Sequence, residues 1–188
     1  ARHAFGTADL TGVKVAEQGV GSVGGYTCKH LVEAGAELII CDVDQAALDE
    51  IAAATGSTVV APNAINDVEA DVFSPTALGA IINPETLPRL KAKVVAGGAN
   101  NQLNTPDMGE ALFQRGITYA PDYVINGGGI INVAAEISGQ YERAWVDQKL
   151  DTLMATLDEV LAASAADKTP THIVADRIAR ARIAAGKA

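Results

Sequence analysis

The hexapeptide Gly19-Val20-Gly21-Ser22-Val23-Gly24 constrains this chain more than any other stretch. An apolar run, Val13-Lys14-Val15-Ala16, leads into it, and residues 23–34 read as a helix. A second apolar run, Leu38-Ile39-Ile40-Cys41, ends in Asp42. Strand, glycine turn, helix, strand and acid, in this order, make up the unit that holds a dinucleotide. Gly19 permits a tight turn, Gly21 keeps no side chain between backbone and pyrophosphate, and Gly24 lets the helix lie against the strand. Ser22 and Val23 open the helix, whose unpaired N–H groups and partial positive charge suit phosphate. Asp42, 23 positions after Gly19, is placed to accept hydrogen bonds from the ribose hydroxyls. Its charge repels a 2′-phosphate, so the cofactor expected is NAD and not NADP. Val43 flanks it, and Asp44 is a second acid able to share its role. Glu17 fits less easily, because a buried parallel strand holds an apolar residue at such a position and burying a carboxylate is costly unless it is paired. Either it faces a polar crevice or the strand is already ending there.

A chain of 188 residues, 48% hydrophobic, suits one domain or one domain with an appendage. Residues 1–167 carry 9 basic and 22 acidic residues, whereas residues 168–188 carry 5 basic and one acidic. The acidic body argues against nucleic acid and against an anionic membrane as partners. The basic tail reads as the solvated or subunit-facing side of a last helix, with a nucleic-acid arm as the weaker alternative. Cys28 and Cys41 read as small buried apolar residues, and His3, His30 and His172 share no ligand spacing, so no metal is expected. No apolar run approaches the ~18 residues of a membrane span. No signal peptide is visible, and a cytoplasmic protein is expected.

Strands and helices alternate, which predicts an α/β fold: a Rossmann-type, doubly wound, mainly parallel sheet with a C-terminal helical appendage. After Asp42 a helix is expected over residues 46–54, ended by Gly56, then short strands at 58–60, 71–73, 94–96 and 117–120. The apolar residues 78–82 are read as the start of a short helix, and Asn83-Pro84-Glu85 as the start of the next. Residues 107–114 read as helix. Residues 122–129 read as a loop in which Gly127-Gly128-Gly129 bring backbone close to a ligand or another segment. From Trp145 a helical stripe appears: Val146, Leu150, Leu153, Met154, Leu157, Val160 and Leu161. It is read as core packing, and residues 162–166 as a weakly specified joint. Thr169-Pro170 is read as the cap of a last helix with Ile173, Val174, Ile178 and Ile183 inward and Arg177, Arg180 and Arg182 largely outward. The division expected is a nucleotide domain over residues 1–144 and C-terminal helices over 145–188.

Several segments together resemble one family. They are Ala4-Phe5-Gly6-Thr7, Val15-Ala16-Glu17-Gln18-Gly19-Val20-Gly21, Ser74-Pro75-Thr76-Ala77-Leu78-Gly79, residues 96–103 (AGGANNQL) and residues 119–133 (YAPDYVINGGGIINV). The pattern resembles the cofactor domain of the leucine, phenylalanine and valine dehydrogenases, relatives of glutamate dehydrogenase, and it runs along nearly the whole chain. The resemblance implies oxidative deamination of an L-amino acid to a 2-oxo acid and ammonia, with NAD as the hydride acceptor. It implies that Ser74, Pro75, Thr76, Ala77 and Ala99 line the cofactor. Asn101, with Asn100, reaches the nicotinamide end, and Asn126 orients the carboxamide or the substrate. Ile130 and Val133, bulky, aliphatic and spaced for one helical face, would shape the substrate pocket with Asn126, which favours a leucine- or valine-like substrate over phenylalanine. No catalytic residue is assigned within the chain: the family's catalytic lysines and aspartate belong to an N-terminal substrate domain expected to be absent here. The parent enzyme is expected to be a homo-oligomer.

This chain departs from the family at three places. It has Asn126-Gly127-Gly128-Gly129 where the family usually has Asn-Ala-Gly-Gly, Thr76 where Cys is frequent, and Glu17 where the family is apolar. Two other readings stay open: a stand-alone NAD-binding sensor or regulatory module without catalysis, and a different dehydrogenase on the same nucleotide fold.

Overall fold

Six strands, hydrogen-bonded in the order β3-β2-β1-β4-β5-β6 and all parallel, form the centre of the computed structural model. The structure describes residues 1–137, 139 and 141–186. The elements run α1 (Arg2–Phe5), β1 (Lys14–Gln18), α2 (Ser22–Glu33), β2 (Glu37–Cys41), α3 (Gln45–Thr55), β3 (Thr58–Val59), β4 (Val72–Pro75), β5 (Val94–Val95), α4 (Asp107–Gln114), β6 (Thr118–Tyr119), α5 (Asp122–Ile125), α6 (Gly127–Ile137), α7 (Arg143–Asp167) and α8 (Thr171–Ala184). This is the Rossmann order, confirming the α/β fold class.

Alternation along the strands explains why both faces of the sheet are covered. Val15, Leu38 and Ile40 pack with Cys28 of α2 and with Leu48 and Ile51 of α3. Their neighbours Ala16 and Cys41 turn the other way, against Phe73, Val95, Leu112 of α4 and Tyr119. Below the strands, where the chain enters β4 and β5, Asp67, Glu69 and Asp71 pair rung by rung with Arg89, Lys91 and Lys93.

The chain divides into two compact units, Ala1–Tyr119 and Ala120–Ala188. The sequence division at residues 144 and 145 keeps α5 and α6 with the sheet, whereas the compact units group them with α7 and α8. Lys187 and Ala188, the end of the 145–188 segment, lie outside the described residues.

Five local readings are corrected. Residues 78–82 form no helix: Ala80 has φ 57, and Ile82 forms a parallel bridge with Leu103, so its backbone is spent on pairing. Asn83-Pro84 starts only a turn and a 3-10 segment, Leu87–Arg89. Asn83 Oδ1 accepts from the Glu85 and Thr86 amides, but Pro88 has no N–H with which to continue an α-helix. Residues 122–129 are helical over most of their length, and a Cβ on Gly127 would lie 2.4 Å from Leu153 Cδ1, so the approach there is to α7. Residues 162–166 are no joint, because alanine is the best helix former and α7 runs on until Lys168 turns left-handed at φ 51. In α8 the buried stripe is narrow. Val174, Ala175 and Ile178 pack with Val160, Ala163 and Val124, which leaves Ile173 and Ile183 off that face and exposed. Its arginines are ion-paired: Arg177 with Asp167, Arg180 with Asp176, Arg182 with Glu159.

Capping also differs from the expectation. Thr169 makes no cap on α8, whose N-cap is Pro170. Asp44, in contrast, is the N-cap of α3, accepting from the Ala46 and Ala47 amides. Asp44→Ala is therefore expected to cost about 1 kcal/mol of stability and Thr169→Ala under about 0.5 kcal/mol, as read by thermal or urea unfolding.

Candidate functional site

Strand order reverses between β1 and β4, and open parallel sheets leave a crevice at the carboxyl end of such a pair. The turns collected there are residues 19–24 after β1, 42–44 after β2, 74–77 closing β4 and 97–101 after β5.

Gly19 turns with φ 99, and a Cβ on it would lie 2.8 Å from Ala77 Cβ and 2.9 Å from the Ala77 amide nitrogen. A Cβ on Gly24 would lie 1.9 Å from the Gly19 carbonyl oxygen, so α2 sits directly on the turn. Gly21 is the N-cap of α2, and a Cβ on it would meet nothing within 4 Å. Gly21, Ser22 and Val23 are all exposed. The result is an open cradle of backbone amides at the positive end of a helix, the shape and polarity a diphosphate requires.

Asp42 locks this cradle to the next strand. Its Oδ2 accepts from the Val20 amide at 2.7 Å, and its Oδ1 from the Val43 and Asp44 amides at 2.6 and 3.0 Å. Burial pushes its pKa up, but the amides of Asp44, Val20 and Val43 outweigh that and hold the carboxyl below its usual range. A carboxylate has about four lone-pair sites. The three amides leave room on Oδ2 for one more donor. Val43 beside it stands open to solvent, and Asp44 is committed to capping α3.

At the end of β4, Ser74 and Pro75 are buried, Thr76 is half-buried and Ala77 exposed. The loop after β5 rests on them. The Ala99 amide donates to the Pro75 carbonyl at 2.8 Å, and a Cβ on Gly98 would lie 2.9 Å from Val23 Cγ1. Asn100 and Asn101 are exposed, and Asn101 holds φ 53. Gln102, which sequence reasoning missed, shapes this loop: fully buried, its Nε2 donates to the carbonyls of Gly97 at 2.6 Å and Ala99 at 2.9 Å. The signal was an amide side chain at the edge of an otherwise glycine-rich polar loop.

Asn126, Ile130 and Val133 belong to the second unit. Asn126 follows α5, and Ile130 and Val133 lie on α6 with 73% and 49% of their surface exposed. They do not pack the core of that unit; with Ile137 they form an aliphatic face. Among the described residues no group of His, Cys, Asp and Glu is placed to hold a metal, and no helix is long and apolar enough to cross a membrane.

Glu17 was the misfit in the sequence, and it does lie in the strand, fully buried at the register opposite Ile40 and Ser74. Its Oε1 is 2.5 Å from Thr76 Oγ1, and its Oε2 has no partner. Burial pushes its pKa up to about 7; the Ser74 and Thr76 hydroxyls pull the other way, with Ser74 making no bond of good geometry to Oε2.

The fold and the crevice define the class: a doubly wound nucleotide-binding-type sheet with an anion cradle at its switch point. Comparison with known proteins narrows it. The glutamate/leucine/phenylalanine/valine dehydrogenase family model matches residues 40–187, and the chain belongs to that family. It is 46% identical over 183 residues to a leucine dehydrogenase of Geobacillus stearothermophilus, a match covering 97% of this chain and 50% of that protein. The crystal structure of L-tryptophan dehydrogenase from Nostoc punctiforme matches with a TM-score of 0.93 at 39% identity, over 97% of this chain and 55% of that one. A hetero-hexameric glutamate dehydrogenase from Thermus thermophilus shares the fold, with a TM-score of 0.69 at 23% identity over 89% of this chain and 45% of that one. The chain thus spans about half the length of the curated relatives it matches.

Glu17 sets a measurable pH dependence. Its folded pKa of about 7 lies above the ordinary 4.5, so the folded state holds the extra proton between these values. Stability falls as pH rises through that window, by on the order of 3 kcal/mol in full. Glu17→Gln removes the charge; its melting temperature is expected to match the parent's near pH 4.5 and to exceed it at about pH 8.

Proposed function

We propose that this chain is the cofactor-binding half of an NAD-dependent dehydrogenase that oxidatively deaminates a hydrophobic L-amino acid to its 2-oxo acid and ammonia. The observation that carries the reading is Asp42, an ionised carboxylate with one free lone pair, fixed beside an open helix N-terminus in the glycine turn. NAD supplies the hydride acceptor, C4 of its nicotinamide.

In this reading the turn at Gly19, Gly21 and Gly24, with the first amides of α2 at Ser22 and Val23, holds the pyrophosphate. Asp42 accepts from a ribose hydroxyl, and its charge rejects a 2′-phosphate. Ser74, Pro75, Thr76, Ala77 and Ala99 line the cofactor, and Val43 borders its adenosine end. Asn100 and Asn101 serve the nicotinamide end, while Asn126 orients the carboxamide or the substrate. Amide side chains can donate and accept there without placing a charge beside the hydride. The aliphatic face of Ile130 and Val133 supports a leucine- or valine-like substrate, and the relatives named leucine dehydrogenase and L-tryptophan dehydrogenase support a hydrophobic amino acid. No residue of this chain is assigned a catalytic role in this reading, and the working enzyme is taken to be a cytoplasmic homo-oligomer.

Calorimetric titration tests the cofactor half directly. NADH is expected to bind, NADPH roughly tenfold or more weakly, and Asp42→Asn is expected to lose most of that preference and about tenfold in NADH affinity. Absence of any heat of association at millimolar NADH would rule the reading out.

A further inference from the structure

Thr76 Oγ1 lies close to three oxygens: Glu17 Oε1 at 2.5 Å, the Gly19 carbonyl at 2.7 Å and the Gln18 carbonyl at 3.0 Å. A hydroxyl carries one hydrogen, and a carbonyl can only accept. Oxygen pairs as close as the first two each need a hydrogen between them. With Glu17 as a carboxylate, the single Thr76 hydrogen serves either Glu17 or Gly19, and the other pair meets lone pair to lone pair. With Glu17 protonated, its O–H donates to Thr76 Oγ1, and the Thr76 hydrogen is left for the Gly19 carbonyl. Only the neutral acid satisfies both contacts.

We propose that Glu17 is a positioning residue of the dinucleotide site: as the neutral acid it frees Thr76 to fasten the Gly19 turn, and on ionising it releases that turn and sets a negative charge beneath the phosphate cradle. This rests on the cofactor reading given above. The surroundings favour the neutral form. The carboxyl is fully buried and Oε2 is unpartnered, which a carbonyl oxygen tolerates better than half of a carboxylate. The turn is also where α2 is seated, since the Gly19 carbonyl and Thr76 Oγ1 are the atoms a Gly24 Cβ would strike.

The titratable groups around Glu17 do not titrate with it. Cys28 from α2 and Cys41 from β2 are thiols pushed up by burial to about 12 and 11, and both stay protonated. Asp42, at the end of β2, is held low and stays charged. From β4, Ser74 and Thr76 offer only hydroxyls. Near neutral pH the proton that comes and goes is therefore that of Glu17, and ligand binding to the fastened turn draws it in.

Calorimetry of NADH binding in buffers of different ionisation enthalpy measures this coupling. The parent chain is expected to take up a fraction of a proton per NADH near pH 7, and to lose roughly tenfold in affinity from about pH 6 to about pH 8.5. Glu17→Gln, neutral and still able to donate to Thr76, is expected to take up no proton and to bind NADH with the parent's acid-side affinity at both ends of the range. Infrared difference spectra of the parent chain without NADH, taken as pH rises through the same range, should show the carbonyl stretch of a protonated carboxylic acid fading, and Glu17→Gln should lack that band, a readout independent of cofactor. The parent-chain measurements stand even if the variant fails to fold. Binding of NADH with pH-independent affinity and no proton uptake overturns the inference alone. No NADH binding by either chain at any pH overturns the cofactor reading and this inference with it.

Discussion

The approach of α2 to the end of β1 is the constraint on which the first unit depends. No atom can stand where a Gly24 Cβ would be, 1.9 Å from the Gly19 carbonyl, so helix and strand meet backbone to backbone. That contact aims the first amides of α2 across the switch point instead of into the core. Asp42 then pins the turn from the side of β2 through the Val20 amide, and Thr76 pins it from β4. Three neighbouring strands thus converge on six residues of backbone, for the Cys41 carbonyl also accepts from the Gly19 amide and the Gln18 carbonyl from the Thr76 amide.

The β1-α2-β2 unit was legible almost residue for residue, because its signals are local: apolar runs of strand length, glycines where no side chain fits and an acid at a fixed distance. The helix over Asp107–Gln114 was legible for the same reason. What stayed hidden depends on pairing across distance. The partner of Glu17 lies 59 residues away, so the sequence displays an acid out of place and nothing that explains it. Residues 78–82 look helical by composition, but their backbone is committed to a bridge at Leu103. The triple glycine looked like a bend when its first member serves helix packing, since only Leu153 on α7 reveals what a side chain would strike.

The site itself was legible in part. The role of the amide loop came only from the family resemblance, whereas the glycine turn and acid were readable from the residues because each is a short motif with one mechanical purpose. Gln102 was not, although its buried side chain determines the path of the loop carrying Asn100 and Asn101. A second layer of support leaves little mark in one sequence, where a buried glutamine and a solvated one look alike.

The two rims of the sheet are built on opposite electrostatic terms. At the amino ends of β4 and β5, Asp67, Glu69 and Asp71 meet Arg89, Lys91 and Lys93 in water-exposed pairs, each worth about 0–1 kcal/mol and readily screened by salt. Two rungs also reach the main chain: Asp71 accepts from the Lys14 amide at 3.1 Å and Arg89 donates to the Asn63 carbonyl, so exchanging the charges of either pair would break a backbone tie. The underside is thus held partly by exposed charge pairs, which salt screens, and partly by hydrogen bonds to the main chain.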